Sequence, residues 1–314
     1  MRKEEISNSS NNKLGLKFEE SKKPNSFLKK IILHFKGNSI TFIALFVLIS
    51  IIFISFAAPL FAPYNPTKSD IMQRLQPPTL SPPSKGGFPH ILGTDQQGRD
   101  VLSRLIYGGR VSLSVAFTVV LLAEIIGIAI GIISGYYGGW IDLFLMRLVD
   151  ISSSFPGLLI ALTFVMVLGA SQKNLTLALL MVGWMIHARM ARSQVLTVRE
   201  TVMVEACRTI GCSKPRIFIV HIFPNILSPL ITTYVLEMAH MIAAEANMSF
   251  LGYGIQPPAA SWGLMIGDGR QYIINAWWLV VFPGLTIAIT ILCLSLIGNW
   301  IKDEFDPMRL DRKY

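Results

Sequence analysis

VSLSVAFTVVLLAEIIGIAIGIIS, residues 111–134, is a run of 24 residues with one ionisable side chain, Glu124. As a helix rising 1.5 Å per residue it would extend about 36 Å, enough to cross the ~30 Å hydrocarbon layer of a bilayer with some tilt. The run therefore predicts a transmembrane helix. Gly127, Gly131 and Gly135 recur within it and at its end at intervals of four. Three positions without side chains on one helix face predict close approach by a second helix.

Five more apolar stretches repeat this character: about Ser39–Ala62, Ile141–Gly169, Leu175–Arg189, Ile226–Met248 and Trp277–Ile301. The third span in chain order, Ile141–Gly169, carries Arg147, Asp150 and Pro156 in its first half and is expected to kink. The whole composition agrees. Of 314 residues, 52% are hydrophobic and 15% charged, against about 25% charged in soluble globular proteins. The fold class expected is an all-α integral membrane protein with six transmembrane helices.

Lys and Arg exceed Asp and Glu by 28 to 19, a formal charge of +9. In a soluble protein that balance would point to nucleic acid. Here a basic cytoplasmic side accounts for it, so no nucleic-acid partner is expected and the lipid bilayer is. With the N-terminus inside, segments 1–38, 188–225 and 302–314 carry 19 Lys and Arg, and segments 63–110, 170–174 and 249–276 carry eight. Both termini are therefore expected to be cytoplasmic, in the plasma or inner membrane. The organisation that follows is a cytoplasmic tail over 1–38, a first transmembrane helix over 39–62 and a Pro/Gly-rich extracytoplasmic loop over 63–110. A helical core over 111–305 includes a cytoplasmic loop at 200–225, and a tail occupies 306–314. The polar, basic leader is far longer than that of a cleaved signal, so the first span is read as retained.

Cys207, Cys212 and Cys293 are odd in number and lack a second pair or a His at zinc spacing, so neither a disulfide framework nor a metal site is expected. The chain has no G-x-x-x-x-G-K-[ST], His-Glu-x-x-His or G-x-S-x-G. No catalytic residue and no cofactor of its own are expected.

The segment VEACRTIGCSKPRIFIVHIFPN, residues 204–225, interleaves Ile210, Ile217, Phe218 and Ile219 with Arg208, Lys214 and Arg216. It predicts a short helix from near Thr201, a break at Gly211 where positive φ is cheap, and a second amphipathic segment ending before Pro224. Such a surface suits docking against another protein. Its Glu205-Ala206, Gly211 and Ile222-Phe223-Pro224 resemble the glutamate-alanine-alanine-glycine loop of ABC-importer permeases, with Cys207 in place of the second alanine and Phe223 in place of leucine. LGTDQQGRDVLSR at 92–104, GGRVSL at 108–113 and EANMSFLGYGIQPPAASWG at 245–263 are similar to the C-type permease subunit of the oligopeptide/dipeptide/nickel branch.

The resemblance implies a type I importer permease: the membrane subunit of an ATP-driven importer for oligopeptides or dipeptides or, alternatively, for nickel or a metal chelate. It implies a second permease, two ATP-binding subunits that hold ATP and magnesium, and an extracytoplasmic substrate-binding protein. Glu205, Ala206, Gly211, Ile222 and Pro224 would inherit the role of coupling to an ATP-binding subunit.

Ionisable groups inside spans are functional candidates because burying them uncompensated is costly. Glu124 lies in mid-span; Arg147 and Asp150, three apart, are expected to pair; His187 and Arg189 are expected at the interface. Glu237 and His240 share a face one turn apart, with Glu245 beyond, among Met238, Met241 and Met248. Two readings stand for Glu237 and His240: they line the substrate pathway and contact a cationic part of the cargo, or they form a buried hydrogen-bonded pair that fixes helix packing. A transient metal contact would have only these two ligands. Before the second span, Asp95, Arg99, Asp100 and Arg104 are expected to make exposed local ion pairs, Asp100 with Arg104, worth about 0–1 kcal/mol each.

Overall fold

The computed structural model describes residues 39–82 and 87–304; the tails expected over 1–38 and 306–314 lie outside these. The chain divides into Met1–Ile40 and Thr41–Tyr314, and the architecture is that of the second unit. Among the described residues it is helical, with an isolated bridge between Thr94 and Asp100 as the only β pairing.

Five helical runs are long and apolar enough to cross a membrane. They are α1 (Ser39–Phe56), α3 (Val101–Tyr137), α6 (Gln172–Arg199), the run Pro215–Phe250, which contains α9 (Phe223–Phe250), and α11 (Trp278–Glu304). A one-turn helix, α2 (Ala58–Phe61), follows α1. The expected third span is broken: α4 (Gly139–Ser153) and α5 (Gly157–Leu168) meet at an 80° bend. With 15 and 12 residues, each extends only about 18–23 Å and falls short of the hydrocarbon thickness. Pro156 explains the break. It has no N–H for the helical ladder, and it steers the preceding Phe155 away from helical angles. Among the described residues there are thus five helical runs of spanning length, and six spans if the bent pair counts as one.

α3 begins at Val101, not at the expected Val111. Asp100 caps it, its carboxylate accepting from the Ser103 backbone N–H at 2.7 Å. The glycine face then meets α6. A Cβ on Gly131 would lie 2.4 Å from the Ala188 carbonyl oxygen, and one on Gly127 would lie 2.5 Å from His187 Cβ. Backbones approach where side chains are absent, and α3 with α6 is the most extensive helix pairing. α9 packs against α11, α3 and α6. The main core gathers Leu113, Val119, Leu175, Ile242, Met248 and Trp262, among others, while α1 leaves Phe42, Phe46, Ile49 and Phe53 exposed as a lipid-compatible face.

At the far end of α6, α7 (Val202–Thr209) and α8 (Lys214–Ile217) form the connection to α9 through a π turn, Phe218–Ile222. Pro224 was expected to end the second segment. Instead the helix widens ahead of it, with Phe223 N–H donating to Phe218 O. A proline ring clashes with the carbonyl four residues back, and one i→i−5 turn makes room. At the opposite end, α10 (Trp262–Gly269) lies between α9 and α11.

Candidate functional site

The connection between α6 and α9 is rooted by apolar side chains. Val204, Ile217, Ile222 and Ile226 are buried with Ala191 and Val195 of α6, so both short segments are pinned to the bundle. The remaining face of α7 is open: Glu205 and Ala206 are exposed, as are Val202 (81%) and Ile210 (78%). The helix ends in a glycine cap. Cys212 N–H donates to Cys207 O at 3.0 Å, Gly211 N–H donates to Arg208 O at 3.1 Å, and Gly211 has φ +80. A Cβ on Gly211 would meet nothing within 4 Å, so its glycine serves the turn and not packing.

The expected coupling residues therefore separate into two groups. Glu205, Ala206, Gly211 and Pro224 lie on the surface, whereas Ile222 is wholly buried and holds the connection to α9. Cys207 Sγ also stands 3.4 Å from His221 Nε2, linking α7 to the π turn. Desolvation pushes the Cys207 thiol above its ordinary value, with Cys212 adding to the shift and Arg216 opposing it. All three cysteines are free thiols.

In mid-bundle, Glu237 and His240 do meet, His240 Nδ1 standing 3.0 Å from Glu237 Oε1. Their environments differ sharply: the Glu237 side chain is 7% exposed and that of His240 is 72%. Glu237 faces inward and orients an imidazole that faces out of the chain. His187, expected at the interface, is buried in α6 at 1% exposure, and its Nδ1 has no hydrogen-bond partner. The expected Arg147–Asp150 pair is not formed; Asp150 pairs instead with exposed Arg189 at 3.2 Å.

A second polar assembly joins the start of α3 to α10. Asp95 receives Arg99 Nε at 2.6 Å and lies 3.4 Å from Arg104 Nε, and both guanidinium groups approach Asp268 at 3.9 and 3.7 Å. Asp100 turns to His90 at 2.9 Å, not to Arg104. All four residues expected to be exposed are buried, because the loop folds over them and Asp268 supplies a second carboxylate. Burial pushes the Asp268 carboxyl up from its ordinary value, while Arg104 and Arg99 pull it down. Nearby, wholly buried Glu245 accepts hydrogen bonds from Ser112 of α3 and Ser249, both at 2.7 Å. The Trp262 backbone N–H in turn donates to Ser112 Oγ at 3.3 Å.

Sequence reading missed Asp268, the Glu245–Ser112 bond and the paired contacts of Arg192 with Asp142 at 2.5 and 2.6 Å. These partners are far apart in sequence, and local spacing rules do not reach them.

A family described as binding-protein-dependent transport system inner membrane component matches residues 127–310, and one described as the N-terminal TM domain of oligopeptide transport permease C matches residues 26–78. The dipeptide transport system permease protein DppC of Alkalihalophilus pseudofirmus is 38% identical over 272 residues, 87% of this chain and 87% of that protein. DppC of Haemophilus influenzae is 36% identical over 285 residues, 90% and 96% of the two chains. DppC of Escherichia coli is 40% identical over 274 residues, 87% and 91%. Among solved structures, an inward-facing MetNI methionine ABC transporter aligns at TM-score 0.54 with 17% identity, covering 65% of this chain and 97% of the other.

Proposed function

Since the chain belongs to the binding-protein-dependent transport system inner membrane components, in their OppC/DppC-like branch, we propose that it is the permease subunit of an ATP-driven importer of di- and oligopeptides. Its membership makes it a multi-pass inner-membrane ABC permease, not an enzyme. The peptide cargo and the working partners are the proposal. The observation that carries it is the segment 202–222, with an open face of Val202, Glu205, Ala206 and Ile210 on a base pinned by Val204 and Ile217.

In this reading the open face seats in an ATP-binding subunit on the cytoplasmic side. Closure of two such subunits around ATP and magnesium displaces α7. Buried Ile222 and the π turn pass the displacement to α9, which carries Glu237 and His240. A second permease completes the pathway, and an extracytoplasmic binding protein delivers the peptide. His240 supports a pathway at this face: an exposed imidazole in mid-span is costly against lipid, so the face that carries it meets water or protein.

Uptake in cells lacking the gene, with and without the restored chain, tests the proposal by comparing a labelled tetrapeptide with labelled nickel, free and chelated. Peptide uptake lost and then restored supports the peptide importer. A defect confined to nickel overturns the peptide cargo and assigns the permease to metal acquisition.

A further inference from the structure

Glu124 is half-buried in the middle of α3 and has no hydrogen-bond or ion-pair partner among the described residues. Tyr234 of α9 packs against the same helix, its ring edge-to-face with Phe117, two turns before Glu124, at 6.3 Å between centroids. One turn on from Tyr234 comes Glu237, which holds His240, on a helix that also packs against α6, the helix of His187. His187 in turn packs at Gly127, one turn beyond Glu124 on α3. Three helices thus bring Glu124, His187, Tyr234, Glu237 and His240 into one neighbourhood. The wholly buried His187 keeps an unpartnered Nδ1 there, a polar atom the chain itself does not satisfy. Neither 111–134 nor 223–250 contains a Lys or Arg, so the two carboxylates have no resident cation on their own spans.

We propose that this layer is a charge filter for cargo, with Glu124 the specificity-determining residue that favours peptides bearing a lysine or arginine side chain. The inference rests on the peptide-importer reading and deepens it. A bilayer-embedded carboxylate without a partner is costly, and a cationic side chain passing α3 and α9 would supply one. Tyr234 offers a ring face and a hydroxyl to the same group. Glu237 is partly occupied by His240, which leaves Glu124 as the carboxyl group without a partner of its own.

The test uses the complete transporter in cells lacking this gene, restored with the parent chain, Glu124→Gln, Glu124→Asp or Glu237→Gln at matched membrane levels. Uptake of labelled Ala-Lys-Ala and Ala-Ala-Ala is compared, each at a concentration that saturates the parent. Glu124→Gln is expected to lower the Lys-to-Ala peptide uptake ratio about fivefold, the effect of a weak charge pair, while Glu124→Asp holds it near the parent value. If Glu124→Gln does not accumulate, Glu237→Gln is expected to lower the same ratio in the same direction. A parent ratio in both glutamine variants overturns the filter and leaves the importer reading standing. Failure of the parent chain to restore uptake of either peptide overturns the importer reading, and the filter with it.

Discussion

Charged residues in this protein gain their meaning from what buries them. Asp95 compensates Arg99 and Arg104 in a site closed to water. Asp95→Ala would leave the two guanidinium groups with only the longer contacts to Asp268. Removing one partner of a buried pair costs about 3–5 kcal/mol, so this variant should unfold at a markedly lower temperature in detergent, whereas Asp150→Ala, whose pair is exposed, should change little. Equal unfolding temperatures would show that the cluster contributes no net stability. The sequence displayed all four loop charges but not their burial, because Asp268 arrives from a segment more than 160 residues away. At Cys207 the raised thiol value has a simple sign. Less thiolate is present at neutral pH than in an unstructured peptide, so iodoacetamide labelling should reach half its maximal rate at a higher pH. Glu237→Gln with His240→Gln should leave the chain in the membrane and alter uptake; unchanged rates for all peptides would remove the pair from the pathway.

Helices and turns were unevenly legible. The Gly127–Gly131–Gly135 face could be read from spacing alone, and its partner proved to be α6. Gly131→Leu would drive side-chain atoms into the Ala188 carbonyl, and overpacking of this kind costs about 1–3 kcal/mol. Gly284→Ala in α11, where a Cβ meets nothing, should be neutral or gain about 0.5–1 kcal/mol. Thermal unfolding of the two variants in one detergent compares them directly; similar midpoints would mean that α3 and α6 can separate without loss. Boundaries were harder. The Pro/Gly-rich character of 63–110 made 101–110 look like loop, although Asp100 caps a helix there. Pro224 looked like a terminator because a linear pattern has no way to represent a widened turn. Pro156 did act as expected, and further: its kink became an 80° bend.

For the molecule as a whole, composition and apolar runs were enough to identify a polytopic helical membrane protein, and the loop 204–225 was enough to expect a permease. Neither could separate surface from anchor within that loop, since Ala206 and Ile222 are both apolar and only packing shows that one is open and the other buried. This division carries a prediction for the assembled transporter. Gly211→Val should disturb the left-handed turn that ends α7 and release an ATP-binding subunit on purification, while the membrane bundle remains folded. Full retention of that subunit would argue against coupling through this face. The helical run Pro215–Phe250 carries 36 residues from the loop past His240 without a break. Each residue added or lost in its middle would turn everything beyond by about 100° and shift it by about 1.5 Å. His240 would then swing off its face and Glu245 would miss Ser112 of α3, keeping only Ser249 of its own helix. This rod can accept changes of letter far more readily than changes of length, so divergence along it is expected to proceed by substitution, with insertions and deletions confined to the loops.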